Sequence, residues 1–153
     1  MTYREIAIRN LRDFEGYSDV PYLCPAGYWT IGYGFNLEAH GMVKDGKPII
    51  DRCTREQAET WLVEQFEVAE AGAKRVYPAV DLFPEEIKAL VIDLVYNMGE
   101  RTLRNFVHTN AAMNRMEWNK AAEGLESSRY YKQTGRRAKY HVATLRNHGK
   151  DTP

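Results

Sequence analysis

"FEGYSDVPYLCPAGYWTIGYG", residues 14–34, decides how the rest of the chain is read. The residues before it, 2–15, carry Tyr3, Ile6, Ala7, Leu11 and Phe14 at three- and four-residue spacing, which predicts an amphipathic helix. Gly16 stops that helix in the position glycine favours. Glu15 therefore falls at the helix C-terminus, where the backbone dipole disfavours a carboxylate and a lysine or arginine would be more stable. The same field is expected to raise the Glu15 pKa, as a general acid working near neutral pH requires. Cys24 follows after eight residues and Thr30 after five more, at the head of Thr-Ile-Gly-Tyr-Gly. Taken singly, each has an ordinary reading: an exposed glutamate at a frayed end, a small buried thiol, a strand threonine. Gly27, Gly32 and Gly34 imply turns and close backbone approach around all three. Tyr22, Tyr28, Trp29 and Tyr33 offer aromatic platforms for a sugar, or core.

Beyond the stretch, the composition of residues 17–53 differs from its surroundings. β-type runs such as "YWTIGYG" and the turn "KDGKP" predict a small, irregular antiparallel sheet of about three strands. Helix returns at Thr54, which forms a capping box with Gln57. Its apolar face continues through Ala58, Trp61, Leu62, Phe66 and Ala69, ending before Pro78; about 20 residues span roughly 30 Å, enough to join two lobes. Pro84 marks the next start, and "EEIKALVIDLVYNMGE" has the wide apolar face of the most buried helix, ended by Gly99. Shorter helices are expected around residues 104–116, 118–127 and 135–147. The expected class is α+β: one two-lobed domain with a β lobe at about residues 15–55, a connecting helix at about 54–76, and a helical lobe at about 80–150 joined by the N-terminal helix.

The 153 residues and 44% hydrophobic content suit one globular domain. No run of about 18 apolar residues suggests a membrane anchor, and the charged, periodic N-terminus does not read as a signal peptide. Synthesis in the cytoplasm is expected. Cys24 and Cys53 do not form a disulfide framework in such a chain. Neither has metal-ligand spacing with His40, His108, His141 or His148, so no metal or other cofactor is expected. The net charge is zero but unevenly spread. Residues 51–100 hold 11 acids against five bases, a difference of −6; residues 101–153 hold 11 bases against four acids, a difference of +7. A basic C-terminal half is suited to a polyanion, or to ordinary solvated helix faces; nucleic acid has nothing but this charge in its favour.

Glu15, "GYSDVPYL", Cys24, "PAGYW", Thr30 and "IGYG" together resemble the active-site signature of the T-even type phage lysozymes, glycoside hydrolase family 24, in which the middle position is aspartate or cysteine. "LVYNMGE" at 94–100, "EWNKAAEGL" at 117–125, "SRYYKQTGRRAK" at 128–139 and a following "TLR" are similar to the C-terminal lobe of the same family and occur in its order. The resemblance implies a lysozyme-like fold and an endolysin hydrolysing the β-1,4 bond between N-acetylmuramic acid and N-acetylglucosamine. Glu15 would be the general acid, with Cys24 and Thr30 positioning the attacking water, and the outcome inverting. Arg137 would support the catalytic glutamate and tie the lobes together, and its neighbour Arg136 competes for that assignment. Asn97, Tyr96, Tyr22 and Gly34 would line or support the substrate site. The chain departs from many relatives at Phe35, where they carry histidine. The implied partners are peptidoglycan and a holin that gives a monomeric enzyme access to the periplasmic wall during host lysis. Two rivals stand beside this reading: a degenerate wall-binding module without catalysis, and a Cys24-dependent amidase or endopeptidase drawing a base from His108 or His141.

Overall fold

A computed structural model of the chain describes residues 1–150. It is α+β and forms two compact units, residues 8–67 and residues 1–7 with 68 onward. Helices α1 (Tyr3–Glu15) and α2 (Arg55–Val76) each contribute to both units.

The unit of residues 8–67 is built on an antiparallel sheet ordered β1 (Ser18–Leu23), β2 (Trp29–Gly32), β3 (Phe35–Asn36). Tyr22 faces Thr30 and Leu23 faces Trp29 across the first pair; Ile31 faces Phe35 across the second. The β1 register shifts between Ser18 and Tyr22. Pro21 lies in that irregularity, where its missing N–H breaks no ladder bond. A second, two-stranded sheet pairs β4 (Val43–Lys44) with β5 (Lys47–Pro48). Asp45 and Gly46 between them both have positive φ, 51° and 76°, as a tight type I′ hairpin demands. The "KDGKP" turn is thus a complete hairpin of its own, and the expected three strands are five in two sheets.

Leu11 of α1, Ile31, Phe35 and Leu37 of the sheet region, and Ala58, Leu62 and Phe66 of α2 are buried in this unit. Trp61 stacks on Phe35 with ring centroids 4.3 Å apart, and His40 stacks on Phe35 at 4.2 Å. Phe35 is therefore the middle ring of a stack. At the start of α2 the Gln57 amide donates to the Thr54 hydroxyl at 3.0 Å, as the capping box requires.

In the other unit, α3 (Glu85–Met98) follows a 3₁₀ turn at Val80–Leu82 and has eight buried residues, from Ile87 and Ala89 through Val95. Burial on nearly every face makes it the central helix. The remaining helices are α4 (Glu100–Arg104), α5 (Val107–Asn114), α6 (Trp118–Glu126), α7 (Arg129–Thr134) and α8 (Arg136–Gly149). Helix α6 packs against α5 and α8, and α8 also meets α3 and α7. On α2, a Cβ at Gly72 would come within 2.9 Å of Val95 Cγ1, so the absent side chain sets how closely α2 and α3 approach. The five-residue α4 and six-residue α7 are too short for a 3.6-residue pattern to register, which is why the sequence suggests no helix there.

The centre of this unit holds charge. Asp93 on α3 and Arg137 and His141 on α8 are all buried and joined in one cluster. Burial by itself would raise the Asp93 pKa, but the His141 and Arg137 hydrogen bonds and charges outweigh it and lower it from 3.8 to about 2. A depressed carboxylate pKa contributes stability in full above the ordinary value and loses it as pH falls toward the folded one. Between about pH 4 and pH 2 the stability of the native protein, followed by thermal melts, should therefore fall with pH more steeply than that of Asp93→Asn, by up to one proton's slope. Equal slopes in the two proteins would contradict the assignment.

Candidate active site

Glu15 is the last residue of α1, and Gly16 after it takes φ +68°, with its amide donating to the Arg12 carbonyl at 3.0 Å. The Glu15 side chain is half-buried and lies against the backbone of Gly34. A Cβ at position 34 would sit 2.8 Å from the Glu15 carboxyl carbon and 3.2 Å from its Cγ. Gly34 also has φ +72°, in the left-handed region. Position 34 is glycine for two separate reasons: only glycine takes that conformation without strain, and only glycine leaves room for the carboxylate.

Cys24 ends β1. Its amide donates to the Tyr28 carbonyl at 2.9 Å, and the Gly27 amide donates back to the Cys24 carbonyl at 2.8 Å. Pro25, Ala26 and Gly27 form the loop between, with Gly27 at φ +87°. This is a three-residue hairpin closed by a left-handed glycine, and it turns several N–H groups toward the cysteine sulfur. Burial raises the Cys24 pKa, but hydrogen bonds from the Tyr28, Ala26 and Gly27 backbone and the Thr30 hydroxyl outweigh burial, leaving it below the ordinary 9.0. Cys53, buried near Asp19, is shifted the other way: burial and the Asp19 charge push its pKa up. Both thiols are free of disulfides. Their surroundings shift the two thiols in opposite directions.

Thr30 is 4% exposed and faces Tyr22 in the ladder. Its hydroxyl donates to the Tyr28 carbonyl at 2.9 Å and is also within hydrogen-bonding reach of Cys24, so its one proton can turn to the sulfur when the thiol ionises. Burial raises the pKa of the Tyr22 phenol, and the charges of Glu15 and Cys24 raise it further. Glu15, Tyr22, Cys24, Thr30 and Gly34 are thus brought together within one compact unit.

Tyr96, Asn97 and Arg137 belong to the helical unit. Tyr96 is half-buried and Asn97 exposed, both in the last turn of α3. Arg137 is buried and bonded to Asp93, whereas Arg136 is exposed, which separates the two arginines of "GRRAK". Asp93 and His141 are missing from the sequence-derived site. Their signal was an aspartate in the middle of the apolar run "ALVIDLVYNM", with a histidine four residues after Arg137. His141, one of the two histidines considered as a base for Cys24, has its Nε2 bonded to Asp93 at 2.5 Å. Among the described residues, no three His, Cys, Asp or Glu side chains form a group able to hold a metal, and no helix is long and apolar enough to cross a membrane.

The two thiols differ in a way that alkylation reads directly. With iodoacetamide on the folded protein, Cys24 should label with a pH midpoint below 9.0 and ahead of Cys53, and Cys24→Ala should remove the fast phase. A midpoint at or above 9.0, or faster labelling of Cys53, would contradict the electrostatic assignment.

The general model of phage lysozyme matches residues 12–148, nearly the whole chain, including every residue of the Glu15–Cys24–Thr30 group and Arg137. The chain belongs to the phage lysozyme family, and so to the glycosidases that hydrolyse peptidoglycan.

Proposed function

We propose that this protein is an endolysin of the T-even type, glycoside hydrolase family 24, a muramidase that cleaves the β-1,4 bond from N-acetylmuramic acid to N-acetylglucosamine with inversion. The observation that carries the reading is the gathering of an acid and an ionisable thiol in one unit: Glu15 set against Gly34, Cys24 with a lowered pKa, and Tyr22 feeling the charge of both.

Hydrolysis of a glycoside requires one group to protonate the leaving oxygen and another to activate water at the opposite face of the sugar. Glu15 enters the reaction protonated and gives its proton to the glycosidic oxygen as the anomeric C–O bond breaks. Water adds to the anomeric carbon and loses its proton to the Cys24 thiolate, with the Thr30 hydroxyl holding the water. Glu15 ends ionised and Cys24 protonated, and exchange with solvent restores both. The cysteine thus takes the part a second carboxylate takes in other glycosidases: a negative charge beside an oxocarbenium-like transition state, and a base for water. Acid and base catalysis of this kind contributes about 10²–10⁴-fold each. Tyr96, Asn97 and Arg137 are assigned to substrate binding and support. The C-terminal bases suit the anionic cell envelope, which the enzyme reaches with the help of a holin.

Mass spectrometry of soluble products from purified peptidoglycan tests the reading. Fragments ending in a reducing N-acetylmuramic acid are expected from the native protein and not from Glu15→Gln. Cleaved peptide or amide bonds would instead assign Cys24 as a nucleophile, and tight wall binding without products would make the protein a binder. Gly34→Ala should fold and still lose roughly 100-fold in rate, because it displaces the acid while adding only about 1–2 kcal/mol of backbone strain. A native rate in Gly34→Ala would contradict the placement of Glu15.

A further inference from the structure

Asp93 interrupts an otherwise apolar helix at 1% exposure. A carboxylate at that depth is tolerated only with excellent partners, and it has two. Arg137 meets it side-on, Nε donating to Oδ2 at 2.8 Å and Nη2 to Oδ1 at 2.7 Å. His141 reaches the same Oδ2 at 2.5 Å through Nε2, and because an ionised carboxylate only accepts, that nitrogen carries the proton. Arg137 and His141 are four residues apart on α8 and so share a face of the helix.

Stability alone does not account for this cluster. Well-packed apolar side chains of similar volume often join two helices as well as a buried ion pair does. Arg137 is also the second residue of α8, at the helix end where the backbone dipole disfavours a cation. What the cluster supplies is orientation. A side-on pair engages Nε and one N–H of Nη2, fixes the plane of the guanidinium, and turns its Nη1 edge away from Asp93. His141 in turn fixes the carboxylate that fixes the arginine.

We infer that Asp93, held by His141, is a positioning residue for the glycosidase reaction: it locks the Arg137 guanidinium in one orientation. This rests on the support role given to Arg137 in the proposed function. Neither Asp93 nor His141 touches the reacting atoms; both act through the arginine.

Kinetics and NMR test the inference together. Asp93→Asn should lower kcat by roughly 10- to 100-fold with KM within about twofold. In an Arg137→Gln background the same substitution should lower kcat no further, since its route of action is already gone. His141→Leu, which leaves the Asp93–Arg137 pair in place, should lower kcat less than Asp93→Asn and in the same direction. It serves as the deciding variant where Asp93→Asn does not fold. The Arg137 Nε–H proton should exchange slowly in the native protein and faster in either variant. Native kcat in folded Asp93→Asn, losses that multiply across the two backgrounds, or a native kcat and exchange rate in His141→Leu would overturn the inference. Absence of hydrolysis by the native protein would overturn the muramidase reading separately, and the exchange of the Arg137 proton would still decide whether Asp93 locks it.

Discussion

A carboxylate at the C-terminal end of a helix sits against the helix's own field, and at Glu15 the room for it is made by an absence. Position 34 has no side chain, so the carboxyl can lie on the backbone there. The link between β2 and β3 is shaped to present that bare backbone. Gly32 and Gly34 both take positive φ, 66° and 72°, and the short ladder around Ile31 and Phe35 fixes where they fall. Gly32 serves packing as well, since a Cβ there would meet Ala58 Cβ on α2 at 3.1 Å. The same few residues thus close the hairpin, admit α2 and seat the acid. Any change that slips the β2–β3 register moves Glu15's support with it.

The sheet does a second service at Cys24. Cysteine is a poor replacement for an aspartate in water, because at neutral pH it is mostly protonated. A three-residue loop whose amides converge on the sulfur, and a threonine hydroxyl in reach, shift that balance toward thiolate. Cys53, in the same unit, shows how much depends on surroundings: buried and near Asp19, its pKa is pushed up. The two residues share chemistry and differ in surroundings, and the lowered thiol is the one proposed as the base.

The elements with long periodic patterns, α1, α2 and α3, were legible from residue spacing, as were their punctuation by Gly16, Thr54, Pro84 and Gly99. Glu15, Cys24 and Thr30 lie within 16 residues of one another on a run dense in glycine, and the structure keeps them in one compact unit. Of the β4–β5 hairpin only the "KDGKP" turn was legible, and α4 and α7 were not, since two-residue strands and one-turn helices leave no period to read. The Asp93 cluster was hidden for another reason. Asp93 is 44 residues from Arg137 and 48 from His141, and nothing local announces a pairing over that distance. An aspartate within "ALVIDLVYNM" was the visible anomaly, a charge where the helix pattern asks for a hydrophobe. Its partners could be named only once α3 and α8 were seen together.

The account stands on a thiolate doing the work of a carboxylate, and the pH dependence of kcat/KM for the native protein and Cys24→Asp measures that most directly. Both should be active. One limb of the native profile should follow the lowered Cys24 thiol, below 9.0, and in Cys24→Asp that limb should be replaced by one in the carboxylate range near pH 4. Superimposable profiles, or a folded Cys24→Asp without activity, would contradict it.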